Sequence, residues 1–300
     1  MIRLFEKRET FHQPTKDIVV LYHADCTDGF SAAWAAWKKF EDNADYIGIN
    51  PGTQPLEGLK DKEIYMVDLV YQPQYIDGLI KENKKFVAID HHFSNKDTFK
   101  LIPSDSLFDL NHSGAVLAWK YFHPEIKIPR FLEHVEDMDL WKFDLPKTKE
   151  IISYLDMVDL SFDEWSRVSE GVENESKFNE YITIGSLILN YQDKLIERII
   201  SNHAELVNFL GHEVYAVNSP VFNSQIANVL CEKLDRPLGI VWTAERDGTI
   251  HVSLRSIKNA GTDVSELAKK FKGGGGHKSS AGFSLPPGSK LPWTHVANGK

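Results

Sequence analysis

The sequence predicts an α/β protein with an N-terminal domain built on a mostly parallel sheet flanked by helices, a helical connector and a smaller C-terminal α/β domain. Three observations lead to this prediction. The chain has 300 residues, which is longer than one ordinary domain. In its first half, short apolar runs alternate with helical patterns, which favours a parallel sheet covered by helices. Strand patterns return after residue 212, beyond a long helical region.

The elements of the first domain follow in order. The run DIVVLY (17–22) is typical of a buried strand, and the Ala-rich stretch at 29–40 predicts a helix. The remaining elements are predicted as strands at 46–50, 64–68 and 86–89 and as a helix at 74–83. In parallel sheets of this kind, ligands bind beyond the carboxyl ends of the strands.

The second half of the chain starts as helix and ends as a second α/β unit. From residue 113 to about residue 208 the pattern is almost wholly helical, with a long stretch at 180–200. Later elements are predicted as strands at 213–217, 238–243 and 249–254 and as helices near 225–234 and 263–271. We therefore predict domains at 1–195 and 213–300, joined by a helical connector at 196–212.

Composition limits the classes of function. The net charge of -9 argues against a long non-specific grip on nucleic acid, although it allows a short nucleotide substrate bridged by cations. Cys26 and Cys231 are too few for a disulfide framework, which favours a reducing compartment. The charged N-terminus lacks the apolar core of a secretion signal, and no apolar run is long enough to span a membrane. We expect a soluble cytoplasmic protein that binds no membrane, and a homodimer is compatible with these features.

Three predicted strands end in Asp and His side chains, which parallel strands would bring to one edge of the sheet. The residues concerned are His23, Asp25 and Asp28 after the first strand, Asp68 after the next, and Asp90, His91 and His92 after the third. A single Asp at a strand end is ordinarily a helix N-cap, but three such ends are hard to explain as independent caps. Together they form a ligand set for divalent metals such as Mn²⁺. Two ions about 3.5–4 Å apart could share one carboxylate and activate water, which predicts hydrolysis of a phosphate ester.

The same residues carry a resemblance to a known family. AIDHH (88–92) resembles the signature of the DHH phosphoesterase superfamily, and HADCTDGFSAA (23–33) and MVDL (66–69) are similar to its first and second motifs. FKGGGGHKSSAGFSL (271–285) resembles the glycine-rich motif of the DHH-associated C-terminal domain. The resemblance spans residues 17–285 and implies hydrolysis of phosphodiester or phosphomonoester bonds with two metal ions, usually Mn²⁺.

The resemblance also implies roles for individual residues at the strand ends. These would be metal ligation by His23 and Asp28, bridging of the two ions by Asp68, ligation of the second metal by His91, support or ligation by Asp90, and contact with the substrate phosphate by His92.

Two motifs leave alternatives open. Many family members carry Asp four and six residues after the first His, whereas here the carboxylates follow His23 by two and five. Asp28 fits the second of those positions, and Asp25 is a candidate replacement for the first. If Asp25 does not replace that carboxylate, one metal would be held more weakly or through water. In the fourth motif, HVEDMDLWKF (134–143), both Asp137 and Asp139 qualify, and Asp137 is preferred.

Cys26 beside His23 raises a further alternative, because a Cys–His pair can form a thiolate nucleophile. No acyl-transfer motif accompanies the pair, so a packed, small apolar Cys is expected.

In the C-terminal domain we predict a substrate-binding set formed by Arg255, Gly273, Gly274, Gly275, Gly276 and His277. Consecutive glycines allow positive φ and let backbone N–H groups approach an anion, although a flexible hairpin is the structural alternative. Arg255 lies at a predicted strand end, where the resemblance implies a phosphate clamp, and its planar guanidinium suits bidentate contact with phosphate.

These features predict a two-metal phosphodiesterase that hydrolyses short single-stranded oligonucleotides from one end. One alternative is a phosphatase or phosphodiesterase for small nucleotides, such as 3'-phosphoadenosine 5'-phosphate or cyclic dinucleotides. Another is a catalytically silent nucleotide-binding module, which the altered first motif suggests.

Overall fold

The computed structural model describes residues 13–257 and 261–296. Residues 1–12, part of the charged N-terminus in which the sequence predicts no secretion signal, lie outside the described residues. The chain divides into two compact units, Met1–Leu189 and Asn190–Lys300.

The first unit contains a five-stranded sheet in the order β2-β1-β3-β4-β5. Every strand pair in it is parallel. The elements up to the last strand are β1 (Ile18–His23), α1 (Thr27–Phe40), β2 (Ala44–Ile49), β3 (Glu63–Val67), α2 (Pro73–Glu82), β4 (Lys85–Asp90) and β5 (Leu107–Phe108).

Helices cover both faces of this sheet because its strands are apolar on both sides. Val20 points into a core formed with α1 and the later helices, whereas Val19 and Leu21 point into a second core on the α2 side. A strand buried on both faces reads as a continuous apolar run, which is why DIVVLY could be recognised.

The helices after β5 complete the larger core. They are α3 (Gly114–Phe122), α4 (Arg130–Asp139), α5 (Thr148–Leu155), α6 (Phe162–Val172) and α7 (Glu175–His203). Ser113 caps α3, with its side chain accepting a hydrogen bond from the Val116 backbone N–H. The indole N–H of the buried Trp165 donates to the Ser31 hydroxyl of α1 at 3.0 Å, so the aromatic core fixes α6 against α1.

The second unit holds a seven-stranded mixed sheet in the order β10-β11-β9-β8-β7-β6-β12. Among the described residues of this seven-stranded sheet, only the pair β7–β8 is parallel, and α8 connects these two strands. The elements are β6 (Glu205–Phe209), β7 (His212–Asn218), α8 (Asn223–Glu232), β8 (Gly239–Ala244), β9 (Ile250–Arg255), α9 (Val264–Ala268), β10 (Gly275–His277), β11 (Ser280–Leu285) and β12 (Thr294–His295).

This architecture confirms the predicted fold class, with one local difference. The range 196–212, predicted as a helical connector, is helical only as far as His203 and then contains β6. Val207 and Phe209 are buried on one face of that strand, where the sheet supplies partners that a local pattern does not show. As limits of functional domains, 1–195 and 213–300 stay predictions. Within the described part of the chain, no helix is both long and apolar enough to cross a bilayer.

Candidate metal centre

The carboxyl ends of β1, β3 and β4, three neighbouring strands of the parallel sheet, bring His and Asp side chains together. His23 is the last residue of β1, Asp68 directly follows β3, and Asp90 ends β4 ahead of His91 and His92. The parallel register places these ends side by side. The convergence expected from the sequence is therefore present in the fold.

Asp68 lies at the centre of this group. Its side chain is 1% exposed, and its backbone has a φ of 60°, a left-handed conformation that Asp tolerates better than most residues. One carboxylate oxygen, Oδ2, lies 3.2 Å from His23 Nδ1, and the other, Oδ1, lies 3.2 Å from His91 Nε2. Oδ1 is also 3.9 Å from His92 Nδ1. A single carboxylate thus contacts imidazoles on both of its sides.

Asp28, in the first turn of α1, is held by the start of α3. Its Oδ2 accepts a hydrogen bond from the Gly114 N–H at 2.7 Å, and its Oδ1 accepts one from the Ala115 N–H at 3.0 Å. The N-terminus of a helix favours an anion in this position. Asp28 Oδ2 is also 3.6 Å from His91 Nε2, so the anchored carboxylate faces the same imidazole as Asp68.

Gly114 permits this close approach of α3. A Cβ atom at residue 114 would lie 2.5 Å from the Asp68 Cβ and 2.6 Å from its Oδ1. Glycine is therefore the residue that lets the first turn of α3 reach both Asp28 and Asp68.

His91 is surrounded by three carboxylates. Besides Asp28 and Asp68, Asp139 Oδ2 lies 3.5 Å from His91 Nε2. Asp139 is the last residue of α4, and its side chain is 29% exposed, whereas those of Asp28 and Asp68 are buried. This group therefore opens toward solvent on the Asp139 side.

Asp90 fixes the two histidines that follow it. Its Oδ1 accepts hydrogen bonds from the backbone N–H groups of His91 at 2.7 Å and His92 at 3.2 Å, and it lies 2.7 Å from His92 Nδ1. Its Oδ2 accepts one from the Asn95 amide at 2.6 Å. Burial disfavours a charged His92, but the Asp90 charge outweighs this and raises the pKa of His92 to about 10. Asp90 is thus occupied in orienting His92.

The electrostatics of the cluster favour a bound cation. Burial raises the pKa of Asp28 well above its usual range, and the charge of Asp68 adds to the rise. Burial also opposes ionisation of Asp68, but the hydrogen bond with His23 and the contact with His91 lower its pKa. Burial would lower the pKa of His91, yet Asp68 and the other carboxylates raise it to about 9. Protons on the imidazoles therefore supply positive charge that a divalent ion would replace, with release of protons.

The donor atoms fall into three groups, and the atoms within each lie within 4.8 Å of one another. These groups are His23, Cys26 and Asp68; Asp28, His91 and Asp139; and Asp68, Asp90, His91 and His92. No Lys or Arg forms an ion pair with Asp28, Asp68 or Asp139 in the described part of the chain. Buried carboxylates combined with imidazoles are the donors that divalent transition ions prefer, so these residues fit such ions.

Two predicted ligands lie outside the donor groups. Asp25 is exposed in a turn with a φ of 51° and belongs to none of them, so the structure does not bring it to the centre. Cys26, one residue further on, belongs to the group of His23 and Asp68. Burial raises the pKa of its thiol well above the usual range, and the charges of Asp68 and Asp28 add to this effect, which argues against a thiolate nucleophile.

Asp137, which the sequence favours over Asp139, is the second predicted ligand outside the donor groups. Asp137 is buried, and its carboxylate accepts hydrogen bonds from the Asp144 N–H at 2.8 Å, the Leu145 N–H at 3.2 Å and the Thr148 hydroxyl at 2.5 Å. Those bonds fix the chain after α4 and leave Asp137 outside the donor groups. Helix phase does not separate the two residues, because Leu132 and Val135 are buried at the i−7 and i−4 positions of Asp139, just as Phe131 and His134 are buried before Asp137.

In the second unit, Arg255 and His277 occupy neighbouring positions. Arg255 of β9 and His277 of β10 are both register partners of Ser280 on the strand between them, β11. Cross-strand partners point to the same face of a sheet, so the two side chains share a face. Arg255 Nη2 donates to the Ser224 hydroxyl at 2.6 Å, which orients its guanidinium.

The glycine run at 273–276 forms the turn into β10 and that strand's start. A Cβ at Gly274 would lie 2.0 Å from the Ala268 carbonyl oxygen, and one at Gly276, where φ is 135°, would lie 2.5 Å from the Ser280 carbonyl oxygen. Nothing lies within 4 Å of a Cβ built at the other two glycines. Packing thus explains two of the four glycines, and phosphate binding by the run stays a prediction.

Comparison with known proteins found a family model that matches part of the second unit and relatives that are similar over longer stretches of the chain. A sequence model of the DHHA1 domain matches residues 215–292. The chain is 31% identical over 303 residues to the uncharacterised protein R106 of Acanthamoeba polyphaga mimivirus, covering 93% of this chain and 70% of that protein. It is 28% identical over 178 residues to the oligoribonuclease NrnB of Bacillus subtilis, covering 57% of this chain and 43% of NrnB.

A solved structure shares the fold. It is the DHH domain described as a member of the s1p family of ribosomal proteins, with a TM-score of 0.56 and 14% identity. The superposition covers 89% of this chain and 82% of that one.

The parallel sheet, the His and Asp cluster beyond its carboxyl ends and the DHHA1 match define the class of metal-dependent phosphoesterases. The chain belongs to the DHH phosphoesterase superfamily. The resemblance inferred from AIDHH and its companion motifs is confirmed.

Substitution of the two aspartates of α4 should separate a structural role from a metal-related one. In the metal-free protein, Asp137→Asn should lower the free energy of unfolding by about 1–3 kcal/mol, because an amide cannot accept all three hydrogen bonds. Asp139→Asn should change that free energy by less than about 0.5 kcal/mol but weaken Mn²⁺ binding at least about tenfold. Denaturant titration and calorimetric metal titration measure the two quantities, and the reverse pattern would restore Asp137 as the ligand.

Gly114→Ala should displace the Asp68 side chain, although Gly114 itself is not a metal ligand. The added methyl group overlaps the Asp68 side chain, so we expect a loss of about 1–3 kcal/mol in stability and weaker Mn²⁺ binding. Gly78→Ala, inside α2 with nothing within 4 Å of the added Cβ, is the matched control and should stabilise the protein by about 0.5–1 kcal/mol. Unchanged metal affinity in Gly114→Ala would show that α3 does not shape the centre.

Proposed function

We propose that this protein is a two-metal phosphodiesterase that hydrolyses short single-stranded oligonucleotides from one end. The observation that carries the proposal is the position of Asp68. One of its oxygens lies 3.2 Å from His23 and the other 3.2 Å from His91, so it belongs to two donor groups at once. A carboxylate shared between two ions has this arrangement.

We propose the following roles for the side chains in metal binding and catalysis. His23 and Asp68 would hold one ion, and Asp68 with Asp28, His91 and Asp139 would hold the other. Bound ions of this type, which we propose to be Mn²⁺, polarise a phosphoryl oxygen and lower the pKa of water. His92, oriented by Asp90, would donate a hydrogen bond to the phosphoryl group, and its raised pKa keeps it protonated near neutral pH.

The substrate class is supported by the relatives and by charge. NrnB is described as an oligoribonuclease, and the DHHA1 match covers the unit that contains Arg255 and His277. We propose that this unit, at 213–300, holds the end of the substrate through these two residues and the glycine run. The net charge of -9 suits a short substrate better than a long strand, which would need a basic track. The free thiols of Cys26 and Cys231 support a reducing, cytoplasmic location.

Asp68→Asn tests the two-metal centre directly. Loss of the shared carboxylate charge should reduce hydrolysis of short RNA at least about 100-fold, because both ions lose a ligand. Asp25→Asn, an exposed aspartate in the neighbouring turn, is the matched control and should keep wild-type turnover. Wild-type activity should require added Mn²⁺ and disappear with EDTA. Metal-dependent turnover that survives Asp68→Asn would refute the bridging role, and absence of any turnover on RNA, DNA, cyclic dinucleotides and the bisphosphate would favour a silent binding module.

Arg255→Ala tests where the substrate end is held. Loss of a partly buried, charge-assisted contact should weaken binding by about 1.5–3 kcal/mol and raise KM for short oligonucleotides roughly ten- to a hundredfold. Hydrolysis of a minimal phosphodiester, which offers no second nucleotide to hold, should stay nearly unchanged. Arg246→Ala removes an exposed Arg from the same unit and controls for charge. Equal losses on both substrates would assign Arg255 to the fold or the chemistry instead.

A further inference from the structure

Cys26 occupies an unusual place for a cysteine. It is the N-cap of α1, a position where Ser, Thr, Asp or Asn ordinarily caps the helix, yet its side chain makes no capping hydrogen bond. Its sulfur instead lies 3.8 Å from Asp68 Oδ2, the oxygen that also faces His23. The side chain is therefore directed at the proposed metal centre.

The spacing of these three donor atoms suits a single ion. His23 Nδ1 and Asp68 Oδ2 are 3.2 Å apart, and Cys26 Sγ and Asp68 Oδ2 are 3.8 Å apart. Zinc-type bonds of about 2.0–2.1 Å to nitrogen, about 2.1 Å to oxygen and about 2.3 Å to sulfur, at tetrahedral angles, would separate these pairs by about 3.4 and 3.6 Å. The two observed separations differ from these values by only a few tenths of an ångström.

We propose that Cys26 is a thiolate ligand of the ion held by His23 and Asp68, so that this position selects a thiophilic divalent ion of the Zn²⁺ or Co²⁺ type. The proposal rests on the two-metal centre proposed above and refines it. The group formed by Asp28, His91 and Asp139 contains only nitrogen and oxygen donors and would keep the preference for a harder ion such as Mn²⁺. The two positions would thus hold different metals.

Coordination changes the charge of the site in a defined way. When the ion binds, the Cys26 S–H bond breaks, its proton goes to solvent and the sulfur forms a bond to the metal, with no change of oxidation state. The N-terminus of α1 adds a favourable partial positive charge beside the resulting thiolate. A neutral thiol that only donates a weak hydrogen bond to Asp68 would neither release a proton nor form a sulfur–metal bond when the ion binds.

Cobalt titration of the chelator-treated full chain tests the proposal without measuring activity. Binding of Co²⁺ to the wild-type protein should produce a thiolate-to-cobalt charge-transfer band in the near ultraviolet, and bound Zn²⁺ should protect Cys26 from alkylation by iodoacetamide. Cys26→Asp, which keeps an anionic ligand, should still bind metal without the band and should lower the Zn²⁺-to-Mn²⁺ affinity ratio at least about tenfold. Cys231→Ser, which changes the buried cysteine of the other unit, should behave like the wild type.

The outcomes distinguish this inference from the proposed function. If Co²⁺ binds without the band and Zn²⁺ leaves Cys26 reactive, Cys26 is not a ligand, while the two-metal centre stands. If the wild-type chain binds no divalent metal at all, the proposed function fails together with the inference. The alkylation experiment uses the wild-type protein, so it decides the question even if Cys26→Asp does not fold.

Discussion

The structure of the first unit depends on keeping the carboxylate of Asp68 buried beside that of Asp28. Two such anions repel each other in a medium of low polarity, and neither has a Lys or Arg partner among the described residues. The protein compensates with imidazoles on both sides of Asp68 and with the N-terminus of α3 at Asp28. These interactions do not fully compensate the buried negative charge. The pKa of Asp28 stays raised because its burial outweighs its hydrogen bonds. A bound divalent ion would compensate the remaining negative charge. The ion that the proposed chemistry needs would therefore also stabilise this region.

Close packing at the sheet edge follows from that requirement. A backbone N–H can neutralise a carboxylate only within hydrogen-bond distance, so α3 must begin almost in contact with the end of β3. Gly114 makes this possible and thereby serves the electrostatics of Asp28 and Asp68. Gly29 permits a comparable close approach of α1 to the end of β1, since a Cβ there would lie 2.3 Å from the His23 carbonyl oxygen.

Sequence reasoning located the large features because each had a local signature. Apolar runs marked the buried strands β1, β3 and β4, and polar residues at their ends marked the edge that carries the centre. Strands such as β5 and β12, each two residues long, exist only through pairing with a neighbour and have no pattern of their own. Within the site, the choice between Asp137 and Asp139 depended on hydrogen bonds to the segment after α4, which a local pattern does not show. The direction of the Cys26 side chain depended on a turn geometry that spacing does not specify.

The aspartates of the centre differ in how firmly the fold holds them. Asp28 and Asp90 each accept hydrogen bonds from two backbone N–H groups, so their positions are set before any ligand arrives. Asp139 ends a helix and is 29% exposed, which leaves it free to adjust. Anchored donors set the spacing that an ion must fit, whereas an exposed donor permits ions to exchange with solvent. A centre built in this way combines a fixed preference for ligand geometry with access from one side, and that side is where a phosphate would also have to approach.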